Sequence, residues 1–376
     1  MAQIRPEPPA EEEAPRPSRK ALRYGIPLGI AGVTALTVGL MPALAQGDDG
    51  LDDVSAEELI TRVLDSDAQS VQGTVKLRTD LGLPALPGGL GSGSGDDADP
   101  GAAALSLLSG DHTLRVAADG PDRQKATLLD QGGHDYTALH DGGDVWAFST
   151  GSDKVFHGTN ADAAAEGDED HALPEDMRDL TPRELARELL QRSGDTTDVT
   201  VDGTVNVAGR EAYQLKVTPT QDASTVKDVR IAVAENGVPL KFTLTADDDT
   251  KVVDVAFTRV SFAKPSADTF AYKPPAGADV TTRDLSQRRD TGRMPELAKG
   301  DVETHGSGWT TVGEVKLPDG ALGEDGARSF LDALTKKTDE GRLFSTPLVN
   351  ALVTDDGRVF FGAVHAGELN RTAAAN

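Results

Sequence analysis

Cysteine is absent from this chain. Disulfides, thiol nucleophiles and thiolate metal ligands are therefore excluded together, as is a lipid-modified cysteine. Aromatic residues are scarce, 4% of the whole with two tryptophans, so the place of each large ring is informative. Basic residues are outnumbered, 37 Lys+Arg against 62 Asp+Glu, for a net charge of −25. A field of that sign repels nucleic-acid phosphates and anionic lipid surfaces, and no nucleic-acid partner is expected. Catalytic signatures are missing too. There is no Gly-x-Ser-x-Gly, no His-Glu-x-x-His, no phosphate loop and no dinucleotide fingerprint, so neither an enzyme nor a cofactor is expected. His134 and His140, six apart across a turn, read as surface or strand positions rather than metal ligands. The acidic clusters at Asp96, Asp168 and Asp247 lack the spaced loop and closing bidentate Glu of a calcium site, and read as solvated loops.

One long uncharged run is present. Lys20 and Arg23 precede residues 25–44, which carry no charge, and Ala43-Leu44-Ala45 closes the stretch. A basic flank, an apolar middle and small residues at the end describe an export signal cleaved after Ala45. The run also reaches the roughly 20 residues needed to span a bilayer, so an uncleaved anchor is the alternative. Both readings put residues 46 onward outside the cytoplasm, because the basic residues precede the run and Asp48, Asp49, Asp52 and Asp53 follow it.

Beyond the run, period-two alternation dominates. Val205/Val207, Tyr213/Leu215/Val217, Val229/Ile231/Val233, Phe242/Leu244 and Val253/Val255/Phe257 each place apolar side chains two apart. Ala208-Gly209, Asn236-Gly237 and the three aspartates at 247–249 supply the turns. After Phe257 the phase slips across Thr258 and Arg259, which predicts a β-bulge and a strongly curved antiparallel meander. Earlier strands are expected around Val71–Leu77, Leu114/Val116, Ala126/Leu128, Tyr136/Ala138, Val145–Phe148 and Val155–His157. Two helices open on capping boxes, Ser55 with Glu58 and Thr181 with Glu184, the second with Pro182 at its first position.

The sequence resembles the LolA-like lipoprotein-carrier superfamily, and within it an exported group of high-GC Gram-positive bacteria. The residues that carry the likeness are Leu81-Gly82-Leu83-Pro84, Val145-Trp146, Pro182-x-Glu184-Leu185-Ala186, Val207-Ala208-Gly209-Arg210-x-Ala212-Tyr213-x-Leu215 and Pro239-Leu240. Phe257-Thr258-x-Val260-x-Phe262 and Phe270-x-Tyr272-x-Pro274-Pro275-x-Gly277 complete them, so residues 55–280 are covered. The resemblance implies an α+β fold: a curved antiparallel β-sheet, an open half-barrel, covered by helices whose concave side holds acyl chains. The large domain of MucB/RseB-type regulators of envelope-stress sigma factors is related, and there a small domain follows it.

The expected organisation is a flexible leader with export signal or anchor at 1–45 and a half-barrel at 46–280. A basic linker at 281–300, carrying Arg283, Arg288, Arg289, Arg293 and Lys299, leads to a small C-terminal αβ extension at 301–376. In the extension a helix is expected over 324–338 and a hairpin pairs 348–353 with 359–364 around Asp355-Asp356-Gly357. Whether it forms its own domain or docks on the main sheet stays open. Trp146, Phe148, Tyr213, Leu215, Phe242 and Leu244 are the expected lining of a cavity, with closed core as the alternative for the aromatic pair. Two functions fit: a non-enzymatic carrier or sensor of an amphiphile, with a lipid or acylated ligand, or a protein-interaction module. The module would regulate an envelope signalling or transporter assembly through a membrane-protein partner.

Overall fold

A computed structural model describes residues 54–82, 106–130, 132–161, 181–286, 302–317 and 334–375. The leader, Ala45 and the acidic stretch at 162–175 lie outside them. Helix α1 (Ala56–Leu64) opens the described chain, followed by β1 (Ser70–Asp80), β2 (Ser109–Asp119), β3 (Arg123–Leu129), β4 (Tyr136–Asp141), β5 (Asp144–Ser149) and β6 (Lys154–Thr159). After α2 (Pro182–Arg192) come β7 (Thr197–Val207), β8 (Arg210–Pro219), β9 (Val226–Ala234), β10 (Pro239–Ala246), β11 (Lys251–Ser261) and β12 (Asp279–Asp284). These twelve strands form one sheet in the order β12-β6-β5-β4-β3-β2-β1-β11-β10-β9-β8-β7. The sheet is open, with β12 and β7 as its edges. All pairs are antiparallel except β12 with β6, which run parallel.

Local chemistry explains most boundaries. Ala208 and Gly209 adopt φ of 53° and 76°, the left-handed pair that a two-residue hairpin turn requires. The expected bulge is present: the β1–β11 register shifts between Thr74 and Val75, leaving Thr258 unopposed between Phe257 and Arg259. The capping box of α2 is complete. Thr181 Oγ1 accepts from the Glu184 N–H at 3.3 Å, and Glu184 Oε2 accepts from the Thr181 N–H at 2.9 Å. The bonds from the Thr181 backbone and hydroxyl hold the Glu184 carboxyl below its ordinary value. At α1 only half the expected box forms. Ser55 Oγ accepts from the Glu58 N–H at 3.1 Å, but Glu58 pairs with Arg62 at 2.8 Å one turn on. An i,i+4 ion pair has captured the carboxylate that was expected to reach back.

Leu59 and Ile60 of α1 and Ala186 and Leu190 of α2 are buried in one cluster with Val75, Leu77, Tyr213, Leu215, Val217 and Leu244. That side of the sheet is its inner face. The two helices also pair with each other, through Arg187 Nη2 and Glu57 Oε1 at 2.9 Å.

A second, six-stranded sheet follows: β13 (Glu303–His305), β14 (Val312–Lys316), β15 (Lys336–Lys337), β16 (Arg342–Ser345), β17 (Asn350–Val353) and β18 (Arg358–Gly362), in the order β13-β14-β18-β17-β16-β15. The β17–β18 hairpin pairs where the sequence places it. Helix α3 (Ala366–Ala375) closes the chain and buries Leu369 against Val312, Leu352 and Phe360. Residues 324–333 of the expected helix lie outside the described residues, and Lys336–Lys337 form a strand instead. The turn after them explains this: Thr338 N–H donates to Gly341 O at 2.8 Å, folding the chain back onto β16.

This unit docks. Trp309 is buried in the main cluster, and its indole N–H donates to Thr197 Oγ1, at the start of β7, at 2.8 Å. Gln221 receives the Trp309 N–H at 2.8 Å and donates to Ser307 O at 3.1 Å. Thr225 N–H donates to Ala363 O, and His365 N–H to Ala223 O. The stretch expected as a linker, 281–300, begins inside β12. Its pairing is unreadable in sequence because Asp279-Val280-Thr281-Thr282-Arg283-Asp284 carries no apolar alternation.

Candidate functional site

Opposed residues in a β-ladder share a face. Following the inner face from β1 outward, Gly73 opposes Val116, Val116 opposes Ala126, Ala126 opposes Ala138 and Ala138 opposes Ala147. The part of this row on β2 and β3, Val116 and Ala126, borders open space. There the structure holds a cavity of about 190 Å³. Val71, Val75 and Leu77 of β1, Leu114, Val116 and Ala118 of β2 and Ala126 of β3 form one wall. Ile231 of β9, Leu240 and Phe242 of β10 and Val255 and Phe257 of β11 form the other. In the sheet, β3 and β9 are five strand spacings apart, about 24 Å in a flat sheet at about 4.8 Å each. Lining one small cavity together requires that the sheet curl strongly.

The walls are almost wholly apolar. Gln124 is buried and donates its amide to Pro121 O at 3.1 Å. Lys125 and Lys241 border the cavity, but their ammonium groups are engaged by Thr269 O and Asp254, each at 3.2 Å. What such a lining offers a ligand is chiefly hydrophobic contact. Where β2 turns into β3, the Asp119 carboxyl meets Arg123 and Lys264. Burial pushes its pKa up, yet bonds from Lys264 and Ser70 and the charge of Arg123 more than offset this and leave it below the ordinary value.

Of the residues expected to line a cavity, Phe242 does. Tyr213, Leu215 and Leu244 share the inner face but are buried in the cluster with the helices. Arg62 of α1 lies over the Tyr213 ring at 5.3 Å. Trp146 and Phe148 are on the opposite face, because β5 turns Val145, Ala147 and Ser149 inward through its register with β4. On the outer face Trp146 stacks on His157 at 3.7 Å, and Phe148 stacks on Tyr272 at 4.0 Å. Burial raises the Tyr272 hydroxyl pKa. The aromatic pair and the inner-face set are thus separated by the thickness of the sheet. What sequence reasoning passed over was the wall formed by β1, β2 and β3. Its small members, Ala118 and Ala126, were the only unusual signal among larger neighbours.

Among the described residues, one group gathers three side chains of metal-ligating type. Glu303, His305 and Glu314 bring a ligand atom each within 4.8 Å of one another. His305 already pairs with Glu314 at 2.8 Å and Arg358 approaches Glu314 at 3.6 Å, so that carboxylate is committed to protein cations.

No family model matches the chain, and no curated protein does either. Among solved structures, the chain is similar to MucB of Pseudomonas aeruginosa in complex with MucA. Identity is 18%, coverage 85% of this chain and 96% of that one, and the TM-score 0.39. A LolA superfamily protein from Nitrosomonas europaea matches at 13% identity, with 58% and 99% coverage and a TM-score of 0.22. A putative outer membrane lipoprotein-sorting protein domain from Vibrio parahaemolyticus matches at 11%, with 57% and 94% coverage and a TM-score of 0.21. These are the LolA-like and MucB-type proteins that the sequence motifs resemble. Likenesses so distant carry no inference about ligand or partner.

Proposed function

We propose that the inner-face cavity receives an acyl chain and that the protein is an exported, non-enzymatic carrier or sensor of an amphiphile. The observation behind this reading is the cavity itself, a curled sheet whose β1–β3 wall faces Phe242, Ile231 and Phe257, with the ammonium groups of Lys125 and Lys241 engaged at its border. About 190 Å³ gives room for roughly six methylenes at about 30 Å³ each, taking a methylene as water-sized. Each methylene moved from water contributes about 0.8 kcal/mol. The uncharged run at 25–44 supports a place outside the cytoplasm. No helix among the described residues is long and apolar enough to cross a membrane.

The test is native mass spectrometry of protein purified from its own host, followed by titration of delipidated protein with a long-chain alcohol. Copurified lipid and saturable uptake are expected, with uptake weakened by Phe242→Asn, which sets an amide in the apolar wall. If purified protein carries no lipid and delipidated protein takes up none, the carrier reading fails. The protein-interaction module then takes its place, with the curved sheet and its docked second unit as the contact surface for a membrane-protein partner.

A further inference from the structure

We infer that a groove on the outer face, across the sheet from the cavity, binds a phosphate ester. The groove encloses about 560 Å³, within the roughly 300–1,000 Å³ typical of small-molecule sites. Its floor is a single cross-strand row. Thr74 of β1 is opposed by Arg115 of β2 on one side and by Arg259 of β11 on the other, and Thr127 of β3 continues the row beyond Arg115. Two strand spacings, about 10 Å, separate the arginine backbones. Side chains of that length can close on one ligand between them. Lys125 adds a third cation at the same groove.

Both arginines are exposed, and neither forms an ion pair with another described residue. Other arginines of this sheet do: Arg78 pairs with Asp111, and Arg230 with Asp202 and Asp228. In a chain of net charge −25, two arginines left without a described carboxylate on one row are a local reversal of the field. The bulge creates this row. Without it Thr258 would oppose Thr74; with it Thr258 is passed over and Arg259 takes the position. Gly73 makes the bulge fit, since a Cβ there would lie 2.1 Å from Arg259 O. Guanidinium forks flanked by threonine hydroxyls match the several oxygens of a phosphate better than the two of a carboxylate. The groove exceeds a bare phosphate in size, so it has room for the group that bears it. A single phosphorylated molecule meets less repulsion from the overall negative field than an anionic bilayer does.

The inference rests on the outer row of Thr74, Arg115 and Arg259, none of which lines the cavity, although Val116, Ala117 and Lys125 border both sites. Its test is calorimetric titration of the whole protein with glycerol 3-phosphate, beside cosedimentation with phosphatidylglycerol and with phosphatidylcholine vesicles. Saturable binding is expected, weakened about tenfold by Arg115→Gln or Arg259→Gln, the loss typical of one charge-assisted bond. Phe242→Asn should leave it unchanged, and both arginine variants should melt as the parent does because the side chains are exposed. Arginine-dependent binding to phosphatidylglycerol vesicles would assign the phosphate to a lipid headgroup; binding of the soluble ester alone would assign it to a free metabolite. No saturable binding of either, or binding that the doubly substituted protein retains, overturns the inference. So does a glutamate-rich peptide held by the arginines while phosphate esters are ignored, which would make the groove a protein contact. Acyl uptake without phosphate binding would remove this site and leave the cavity reading standing.

Discussion

The two tryptophans occupy contrasting regions. Trp309 is buried in the seam where the second sheet meets the first, its indole N–H held by Thr197. Trp146 is half-buried on the outer face of the main sheet, stacked on His157 and tilted against Tyr272 at 5.4 Å. One ring joins parts of the chain that are 112 residues apart; the other belongs to a hairpin and its neighbours. The difference teaches that a scarce aromatic marks tertiary docking in one place and a surface patch in the other, although both read alike in sequence.

Removing each ring should break the comparison most directly. Trp309→Ala is expected to cost about 3–5 kcal/mol, the range for a large buried aromatic truncated to alanine. It strips the seam of its largest side chain and removes the indole donor from the Thr197 hydroxyl. Urea unfolding followed by circular dichroism measures it; a loss under about 1 kcal/mol would mean the seam is held elsewhere. Trp146→Ala should cost less, about 1–2 kcal/mol, since only part of the ring leaves water. A loss equal to that of Trp309→Ala would show that the outer patch is core.

The smallest effect concerns acid. Asp119 joins β2 to Lys264 and to Arg123, whose guanidinium also lies over Phe270 at 5.9 Å in the patch that holds Trp146. Its carboxyl titrates below the ordinary value in the folded protein. The stabilisation it contributes is therefore complete above the unfolded value of about 3.9 and is lost as pH falls through the lower folded value. Asp119→Asn should lower stability at neutral pH and flatten its decline in acid. An unchanged acid limb in unfolding curves recorded from pH 6 to pH 3 would remove the residue from that account.

Much of the fold is legible in the sequence. The alternation from Val205 to Phe257, the Ala208-Gly209 turn, the bulge after Phe257, the Thr181 cap and the β17–β18 hairpin are all local patterns, and all are present. The site was legible only in part. Phe242 was identified and lines the cavity. The wall opposite Phe242 was passed over because Val71, Leu114, Val116, Ala118 and Ala126 read as ordinary strand residues one at a time. They become a wall only when three strands are laid side by side.

What the sequence determined by itself was the phase within each strand, the turns and caps between elements, and the absence of cysteine chemistry. Period two says which side chains of β5 share a face; it cannot say whether that face is the one bearing Phe242. That answer passes through every register from β10 across β11, β1, β2, β3 and β4 to β5, and a shift of one residue in any of them would reverse it. Tertiary pairing turned Trp146 and Phe148 away from the cavity, brought Arg259 into line with Arg115 and carried Trp309 into the seam. Strand order and docking depend on contacts between residues far apart in the chain, and no local period encodes them.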